Sequence, residues 1–343
     1  MSKLKDIARA IRGSERILIC GHIMPDGDCL GSMLALGLTL KQLGKRVTMA
    51  GPDPVPEIYK FLPGLQSFWV GEPPEDKYDM LIVLDCPVME RLGDGYSDLP
   101  GRDLAVINID HHNGSNSFGT FRYTDPRAAA VGEIIFDLMN LMDLEISLDA
   151  AICLYTAIAT DTGSFQYNST TPDTHRRVAR LLEIGVPISW VNVQLYEEKT
   201  RAAQLLLGVA LKTLSFSACG KVAWMTVTRD MLREVGAEDE HTEGIVNYAR
   251  SIKGIEVGLL FHELSAGRYK ISFRSKENVD VNRLAALFGG GGHSRAAGCE
   301  VRGKMGIIEK KVVMAAVSAT GGEYHERNYQ CAETSGDDLS RRC

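Results

Sequence analysis

The sequence predicts a doubly wound α/β domain with a mainly parallel sheet, followed by a smaller α+β domain. Three observations support this fold class. The 343 residues are enough for two domains that each bury a core. Apolar, strand-like runs alternate with helix-like segments in the first part of the chain. Runs such as Met80–Leu84 are apolar throughout, which is typical of parallel strands covered on both faces.

The first domain is expected to contain four strands and several helices. The strands are predicted at residues 16–20, 47–50, 80–84 and 104–109, and a helix is predicted at residues 31–40. Beyond residue 129 the apolar spacing becomes helical, and helices are predicted at residues 132–142, 148–160, 174–184 and 189–196. This order of elements favours a sheet with helices on both faces.

The second domain shows a different pattern. Strands are predicted at residues 222–228, 255–262 and 269–274, and a helix at residues 281–288 stops at four successive glycines. We expect the first domain at residues 1–190, a helical linker at 191–211, the second domain at 212–320 and a mobile tail at 321–343. The candidate site is expected in the cleft between the two domains.

Composition and charge limit the possible functions. Hydrophobic residues make up 45% of the chain and charged residues 24%, the usual balance of a soluble globular protein. No apolar run approaches the roughly 18 residues of a membrane helix, and the first residues lack the apolar core of a signal peptide. The eight cysteines include no C-x-x-C pair, so we expect reduced thiols, a cytoplasmic location and no membrane partner.

The net charge of −6 is unevenly distributed. Residues 1–209 carry 19 basic and 27 acidic side chains, whereas residues 210–320 carry 16 basic and 12 acidic ones. The first part is therefore acidic and the second basic, which suits a metal-binding half beside a phosphate-binding half. Chance variation among solvated surface residues would give the same pattern. The acidic total disfavours long nucleic acid as a partner, because binding many phosphates requires many basic contacts.

Imidazole and carboxylate side chains recur where predicted elements end. In chain order they are His22, Asp26 and Asp28 after the first strand, Asp85 after the third, His111 and His112 after the fourth, and Asp161 at the end of an apolar helix. Sites in open α/β sheets form beyond the carboxyl ends of the strands, so we expect these side chains to converge. Taken singly, such an aspartate is more often a turn or capping residue, and a His–His pair more often lies on the surface.

A convergent set of this kind predicts bound divalent cations. Several carboxylates repel one another when ionised, so gathering them is costly without a cation between them. Mixed His and Asp ligands suit Mn²⁺ or a similar ion, with Mg²⁺ or Co²⁺ as substitutes. Six ligands exceed what one catalytic ion needs, so two ions are expected, with Asp85 bridging them. A pair of ions can activate water and stabilise the oxygens of a phosphoester under attack.

A glycine-rich segment in the second domain is the remaining candidate site. Its backbone amides at Gly290, Gly291 and Gly292 can approach an anion closely, and His293 and Arg295 add charged donors. Arg274 lies on the strand before it. The alternative is a flexible linker or a tight turn. The chain has no P-loop motif and no G-x-G-x-x-G after its first strand, which argues against nucleoside triphosphate and dinucleotide cofactors.

These motifs together resemble the DHH phosphoesterase family, named for the triad seen here as Asp110-His111-His112. The resemblance covers nearly all of residues 15–318 and is nearest to the short nanoRNase and pAp-phosphatase (NrnA-like) subgroup. It implies a DHH catalytic domain, a C-terminal DHH-associated domain that binds substrate, and an active site in the interdomain cleft. Asn113 stands where membrane-bound cyclic-di-AMP phosphodiesterases commonly have arginine, which weakens a cyclic-dinucleotide assignment.

The resemblance also implies roles for individual residues. One Mn²⁺ would be bound by His22, Asp26, Asp85 and Asp161, and the other by Asp28, Asp85 and His111, with Asp161 as a further candidate. Besides Asp85, the catalytic residue would be His112, which would contact the scissile phosphate or protonate the leaving oxygen. The glycines, His293, Arg295 and Arg274 would bind the terminal phosphate of the substrate.

The family's activities define the expected function. They are hydrolysis of very short RNA to mononucleotides and dephosphorylation of 3′-phosphoadenosine 5′-phosphate (pAp). Linear dinucleotides such as pApA are the alternative substrates, and a non-catalytic nucleotide-binding relative is the alternative class. The resemblance further implies a homodimer.

Overall fold

The computed structural model describes residues 3–101, 104–112, 118–292 and 294–322. The chain divides into two compact units, with the boundary between Glu198 and Lys199. Most of the segment predicted as a tail, residues 323–343, lies outside the described residues. None of the helices in the described part of the chain is long and apolar enough to cross a bilayer.

The first unit is built on a six-stranded parallel sheet. Its strands are β1 (Arg16–Cys20), β2 (Arg46–Gly51), β3 (Phe68–Val70), β4 (Met80–Leu84), β5 (Ala105–Asp110) and β6 (Phe121–Thr124). They are arranged in the order β3-β2-β1-β4-β5-β6, and every neighbouring pair is parallel. The strand order reverses between β1 and β4, which is where ligands bind in doubly wound sheets. The predicted α/β class is confirmed.

The helices of this unit cover the sheet. They are α1 (Leu4–Arg12), α2 (Gly27–Gln42), α3 (Val131–Leu141), α4 (Leu148–Asp161), α5 (Pro172–Ile184) and α6 (Ile188–Asn192), and a π-helical turn (Val193–Glu197) follows α6. The main core packs β1 and β4 against α2, α3 and α4, and a smaller cluster that includes Leu81 and Tyr96 covers the other face. Strands such as β4 are therefore buried along their whole length, which explains their unbroken apolar sequence.

Several element boundaries differ from the sequence prediction. Helix α2 begins at Gly27 rather than at residue 31, because the Asp26 side chain accepts hydrogen bonds from the backbone amides of Asp28 and Cys29 and so caps the helix earlier. The short strands β3 and β6 were not predicted. Each lies at an edge of the sheet and is only partly buried, so its sequence lacks a strong apolar signal.

The second unit contains a six-stranded sheet of mixed direction. Its strands are β7 (Ser215–Phe216), β8 (Val222–Val227), β9 (Val257–Ser265), β10 (Arg268–Ser275), β11 (Gly291–Gly292) and β12 (Ala296–Arg302). Its helices are α7 (Arg201–Leu211), α8 (Arg229–Val235), α9 (Ile245–Ser251), α10 (Val281–Ala286) and α11 (Met305–Ala319). Only β8 and β9 pair in parallel among the described strands of this sheet, and separate apolar clusters cover its two faces. Two glycines of the predicted glycine run thus form a short strand.

Close packing of α2 on α4 places the first turn of α2, which carries Asp28, beside the end of α4, which carries Asp161. Gly31 makes the contact possible, since a Cβ atom there would lie 2.4 Å from the Cys153 carbonyl oxygen and 3.0 Å from the Ala157 Cβ. The obstacle is backbone, which cannot rotate away as a flexible side chain would. Gly31 therefore sets the distance between the two helices.

We expect Gly31→Ala to lower the free energy of unfolding by about 1–3 kcal/mol, because the overpacking outweighs the gain of about 1 kcal/mol in helix propensity. Urea unfolding followed by circular dichroism measures this. Gly13→Ala is the matched control: Gly13 has a right-handed backbone conformation, and a Cβ there would make only ordinary contacts. Equal stability of the two variants would show that the helices can separate without cost.

Candidate metal centre

Three of the residues predicted as ligands lie at the carboxyl ends of three adjacent strands. His22 follows β1, Asp85 follows β4 and His111 follows β5, and these strands are neighbours in the sheet. Asp28 lies in the first turn of α2 and Asp161 is the last residue of α4. The side chains come together as the convergence rule for open α/β sheets predicts.

Asp85 lies at the centre of the group. Its Oδ2 atom is 3.3 Å from His22 Nε2, and its Oδ1 atom is 3.6 Å from His111 Nε2. The carboxylate is buried, and Oδ1 has no hydrogen-bond partner among the described residues. A buried oxygen without a donor is costly unless a ligand satisfies it, so this atom fits a cation.

The other carboxylates approach from the helices. His111 Nε2 lies 3.3 Å from Asp161 Oδ2 and 3.8 Å from Asp28 Oδ2, while His22 Nε2 lies 3.9 Å from Asp26 Oδ1. Among the described residues, three groups could hold a metal ion, and they share Asp85 and His111. They are His22 with Cys29 and Asp85, Asp85 with His111 and His112, and Asp28 with His111 and Asp161.

Both imidazole rings are oriented for ligation through Nε2. His22 Nδ1 is 2.7 Å from the Ile23 carbonyl oxygen, and His111 Nδ1 is 3.1 Å from the Ala128 carbonyl oxygen. A ring that donates its Nδ1 proton to a carbonyl keeps the lone pair of Nε2 for a metal ion. In both residues Nε2 is the atom that faces the carboxylates.

The backbone strain near Asp85 is consistent with a functional site. Asp85 has a φ of 55°, in the left-handed region that residues other than glycine rarely adopt. Its amide donates a hydrogen bond to the Ile109 carbonyl oxygen at 3.0 Å, which ties the turn to β5. Strained residues of this kind persist where the surrounding structure over-determines them, commonly at active sites.

Asp28 has a structural role in addition to its place in the cluster. Its carboxylate accepts hydrogen bonds from the amides of Val131 at 2.6 Å and Gly132 at 2.9 Å, and from the Ser32 hydroxyl at 3.1 Å. The two amides belong to the first turn of α3, whose dipole favours a negative charge. Asp28 therefore fixes α3 to α2 while it faces His111.

The closely spaced acidic groups raise the pKa values of several side chains in the cluster. Burial alone lowers the pKa of His22, but Asp26 and Asp85 outweigh it and raise that pKa to about 10. Burial raises the pKa of Asp161 to about 7, and burial together with Asp85 raises the pKa of Asp28 well above its usual range. In the absence of a cation the cluster therefore retains protons, and a divalent ion would replace them.

Asp110 contacts the cluster, although the sequence suggested no separate role for it. It is fully buried at the end of β5, and its Oδ1 atom lies 2.7 Å from His112 Nδ1. The carboxylate orients the ring and leaves Nε2 as the other nitrogen for chemistry, as in other carboxylate–histidine pairs. The only sequence signal was its place in the Asp110-His111-His112 run. Its role becomes visible only from the direction of its side chain.

Gly291 and Gly292 of the glycine-rich segment form β11, which pairs with β12 at the edge of the second unit's sheet. A Cβ atom at Gly290 would lie 2.1 Å from the Gly298 carbonyl oxygen, so only glycine fits there. Arg274 in β10 pairs with Ala296 in β12, which places Arg274 and Arg295 at the same end of adjacent strands. His293 lies outside the described residues. These positions are in the second unit, whereas the proposed metal ligands are all in the first.

Among the described residues, no carboxylate lies within hydrogen-bond distance of either arginine. Arg295 donates through Nη1 to the Val279 carbonyl oxygen at 2.8 Å, and Arg274 donates through Nη1 to the Phe273 carbonyl oxygen at 3.1 Å. The Glu243 carboxylate is 3.8 Å from Arg274 Nη2 and is largely exposed to solvent. Both guanidinium groups therefore keep donors for an anion.

Comparison with known proteins identifies the two units. The model of the DHH family, N-terminal domain, matches residues 16–158, and the model of the DHHA1 domain matches residues 220–319. The bifunctional oligoribonuclease and PAP phosphatase NrnA of Thermus thermophilus is 32% identical over 88% of this chain and 89% of its own. The protein of the same name from Bacillus subtilis is 28% identical over 86% of this chain and 92% of its own.

Solved structures show the same fold. An exopolyphosphatase-related protein from Bacteroides fragilis has a TM-score of 0.84 at 27% identity, and the match covers 93% of this chain and 95% of that one. RecJ from Thermus thermophilus has a TM-score of 0.51 at 12% identity, covers 94% of this chain and 55% of that one, and shares the fold. Both family models match, and the similarity to the Thermus thermophilus protein extends over most of both chains. The chain therefore belongs to the DHH family of phosphoesterases, with a C-terminal DHHA1 domain.

Proposed function

We propose that the protein is a Mn²⁺-dependent phosphohydrolase that degrades very short RNA to mononucleotides, dephosphorylates pAp, or does both. The observation that carries this proposal is the cluster of imidazole and carboxylate groups around Asp85. Relatives named as bifunctional oligoribonuclease and PAP phosphatase, similar over most of their length, support the substrate class.

We propose that two Mn²⁺ ions bind in this cluster. One would be held by His22, Asp26, Asp85 and Asp161, and the other by Asp28, Asp85 and His111, with Asp161 available to both. Mg²⁺ or Co²⁺ would substitute because the ligand atoms are oxygen and imidazole nitrogen. When bound, the ions would supply Lewis acidity and an activated water for attack on phosphorus.

His112 would donate a proton to the leaving oxygen or contact the scissile phosphate. The Asp110 carboxylate holds its Nδ1, so the ring can present Nε2 to a phosphate oxygen or to the leaving oxygen. Asp85 Oδ1 lies 3.5 Å from the same Nδ1, which places the ring next to the proposed bridging carboxylate. This position would allow His112 to act as a general acid.

The second unit would bind the terminal phosphate of the substrate. Gly290, Gly291, Gly292 and His293 would supply backbone and imidazole donors, and Arg274 and Arg295 would supply guanidinium donors. A pocket that binds one end of an oligonucleotide limits the length of oligonucleotide that reaches the metal centre. This would restrict the enzyme to small nucleotides and very short oligonucleotides. The net charge of −6 also opposes binding of long nucleic acid. We further propose that the enzyme is a cytoplasmic homodimer.

A substrate panel with Mn²⁺ tests the proposed function. We expect turnover of pAp and of RNA of two to about five nucleotides. Activity should fall toward ten nucleotides, because longer RNA would not fit between the end-binding pocket and the metal centre. The panel consists of pAp, pApA and RNA of two to ten nucleotides, analysed by chromatography of the products. A preference for pApA would favour a linear-dinucleotide phosphodiesterase instead. Absence of turnover by pure, metal-loaded protein would favour a non-catalytic nucleotide-binding relative.

Replacement of a metal ligand should remove metal and activity together. We expect Asp85→Ala and His111→Ala to lower Mn²⁺ affinity and kcat by more than about 100-fold, since each removes a group that faces several other ligands. Isothermal titration calorimetry measures the affinity. Asp94→Ala, at an exposed loop position of the same unit, is the control and should leave both quantities unchanged. Normal Mn²⁺ affinity in Asp85→Ala would rule out its bridging position.

Arg295→Ala should act mainly on substrate binding. We expect KM for phosphate-terminated substrates to rise about tenfold with kcat changed little, because the lost contact is to a phosphate that does not react. Steady-state kinetics on pAp measures the two constants. Arg302→Ala is the matched control, since Arg295 immediately precedes β12 and Arg302 is exposed at the far end of that strand. An unchanged KM in Arg295→Ala would remove this residue from the phosphate site.

A further inference from the structure

Arg91 lies beside the metal centre but belongs to none of the ligand sets described above. It is in a short 3₁₀ turn (Met89–Leu92) that follows β4 and Asp85. Its carbonyl oxygen accepts a hydrogen bond from the Ile23 amide at 2.8 Å. This bond ties the turn to the loop that carries His22 and Asp26, so the position of Arg91 does not depend on its own side chain.

The guanidinium group reaches His22. Its Nη2 atom is 3.3 Å from His22 Nδ1, and the same ring nitrogen is 2.7 Å from the Ile23 carbonyl oxygen. A ring nitrogen either carries a proton or offers a lone pair, so it cannot donate to the carbonyl and accept from arginine at once. The shorter contact, and the use of Nε2 as a ligand, both assign the proton to Nδ1. Arg91 then has no acceptor on the ring.

Arg91 also has no acidic partner among the described residues. No carboxylate in the described part of the chain lies within 4 Å of its guanidinium group, although the side chain is half-buried. By contrast, Arg177, another partly buried arginine of the first unit, pairs with Asp137 at 2.6 Å. The unused donors of this half-buried guanidinium are therefore available to an anion.

We propose that Arg91 is a substrate-binding residue, which donates hydrogen bonds to a phosphate oxygen of the substrate at the edge of the metal centre. The assignment rests on the proposed function for the class of substrate. The planar guanidinium fork can bind two phosphate oxygens at once, and its charge complements a nucleotide phosphate that the acidic cluster alone would repel. The first unit would therefore bind a substrate phosphate directly, in addition to the arginines of the second unit.

Three variants test this assignment. Arg91→Met keeps the apolar stem and removes the donors, Arg91→Lys restores the charge without the fork, and Arg46→Ala is the control. Arg46 is exposed at the start of β2, at the opposite end of the sheet from the metal centre. The measurements are Mn²⁺ affinity and AMP affinity of the Mn²⁺-loaded protein by calorimetry, and kinetics on pAp.

We expect Arg91→Met to weaken AMP binding and raise KM for pAp by about tenfold or more, with Mn²⁺ affinity within about twofold of wild type. Arg91→Lys should recover part of the loss, and Arg46→Ala should match wild type. A loss of Mn²⁺ affinity that accounts for the loss of activity would mean that Arg91 only orients His22, which overturns the proposal. Unchanged AMP affinity and KM in Arg91→Met would overturn it as well.

The test separates this inference from the proposed function. If wild-type protein hydrolyses none of the substrates, the proposed function fails, whatever the Arg91 variants do. If wild-type protein is active and Arg91→Met binds AMP and pAp normally, only the assignment of Arg91 fails. AMP binding is measured without turnover, so it reports on the phosphate contact independently of catalysis.

Discussion

The repulsion among buried carboxylates around Asp85 is the constraint on which the site depends. Asp28 and Asp85 are almost fully buried, and Asp161 is close to both through His111. Such groups are stable together only if protons or cations neutralise them. Burial and the nearby Asp85 raise the pKa of Asp28, and the Oδ1 atom of Asp85 has no hydrogen-bond partner among the described residues. Both observations reflect this uncompensated negative charge. A divalent cation would remove it, so the arrangement of these groups suits a metal ion.

The parallel sheet supplies the geometry for this concentration of charge. β1, β4 and β5 are adjacent, and each delivers one residue of the cluster from its carboxyl end. The carboxyl ends of parallel strands share one edge, so a residue after each strand is enough to build the site. The helices then add ligands from their own ends, Asp28 from the start of α2 and Asp161 from the end of α4. The fold of the first unit therefore brings these side chains together.

The cluster also shows how one side chain can serve both the fold and the site. Asp28 accepts hydrogen bonds from the first amides of α3 and faces His111 across the cluster. Asp26 caps α2 and approaches His22. Each carboxylate is already oriented by backbone donors before a ligand arrives, which reduces the entropy that binding must overcome. This preorganisation is what distinguishes the cluster from exposed acidic groups on the surface.

The sequence alone determined the fold class and the residue types of the site. Unbroken apolar strands and the acidic or imidazole residues that follow them are local patterns, and the parallel-sheet rule converts them into a prediction of convergence. Only the tertiary structure decided that Asp110 holds His112, that Asp28 binds α3 more than a hundred residues away, and that Arg91 lies beside His22. The edge strands β3 and β6 also became apparent only in the tertiary structure. The physical reason is that hydrophobic periodicity reports local burial, whereas hydrogen-bond partners and side-chain directions depend on how distant segments pack.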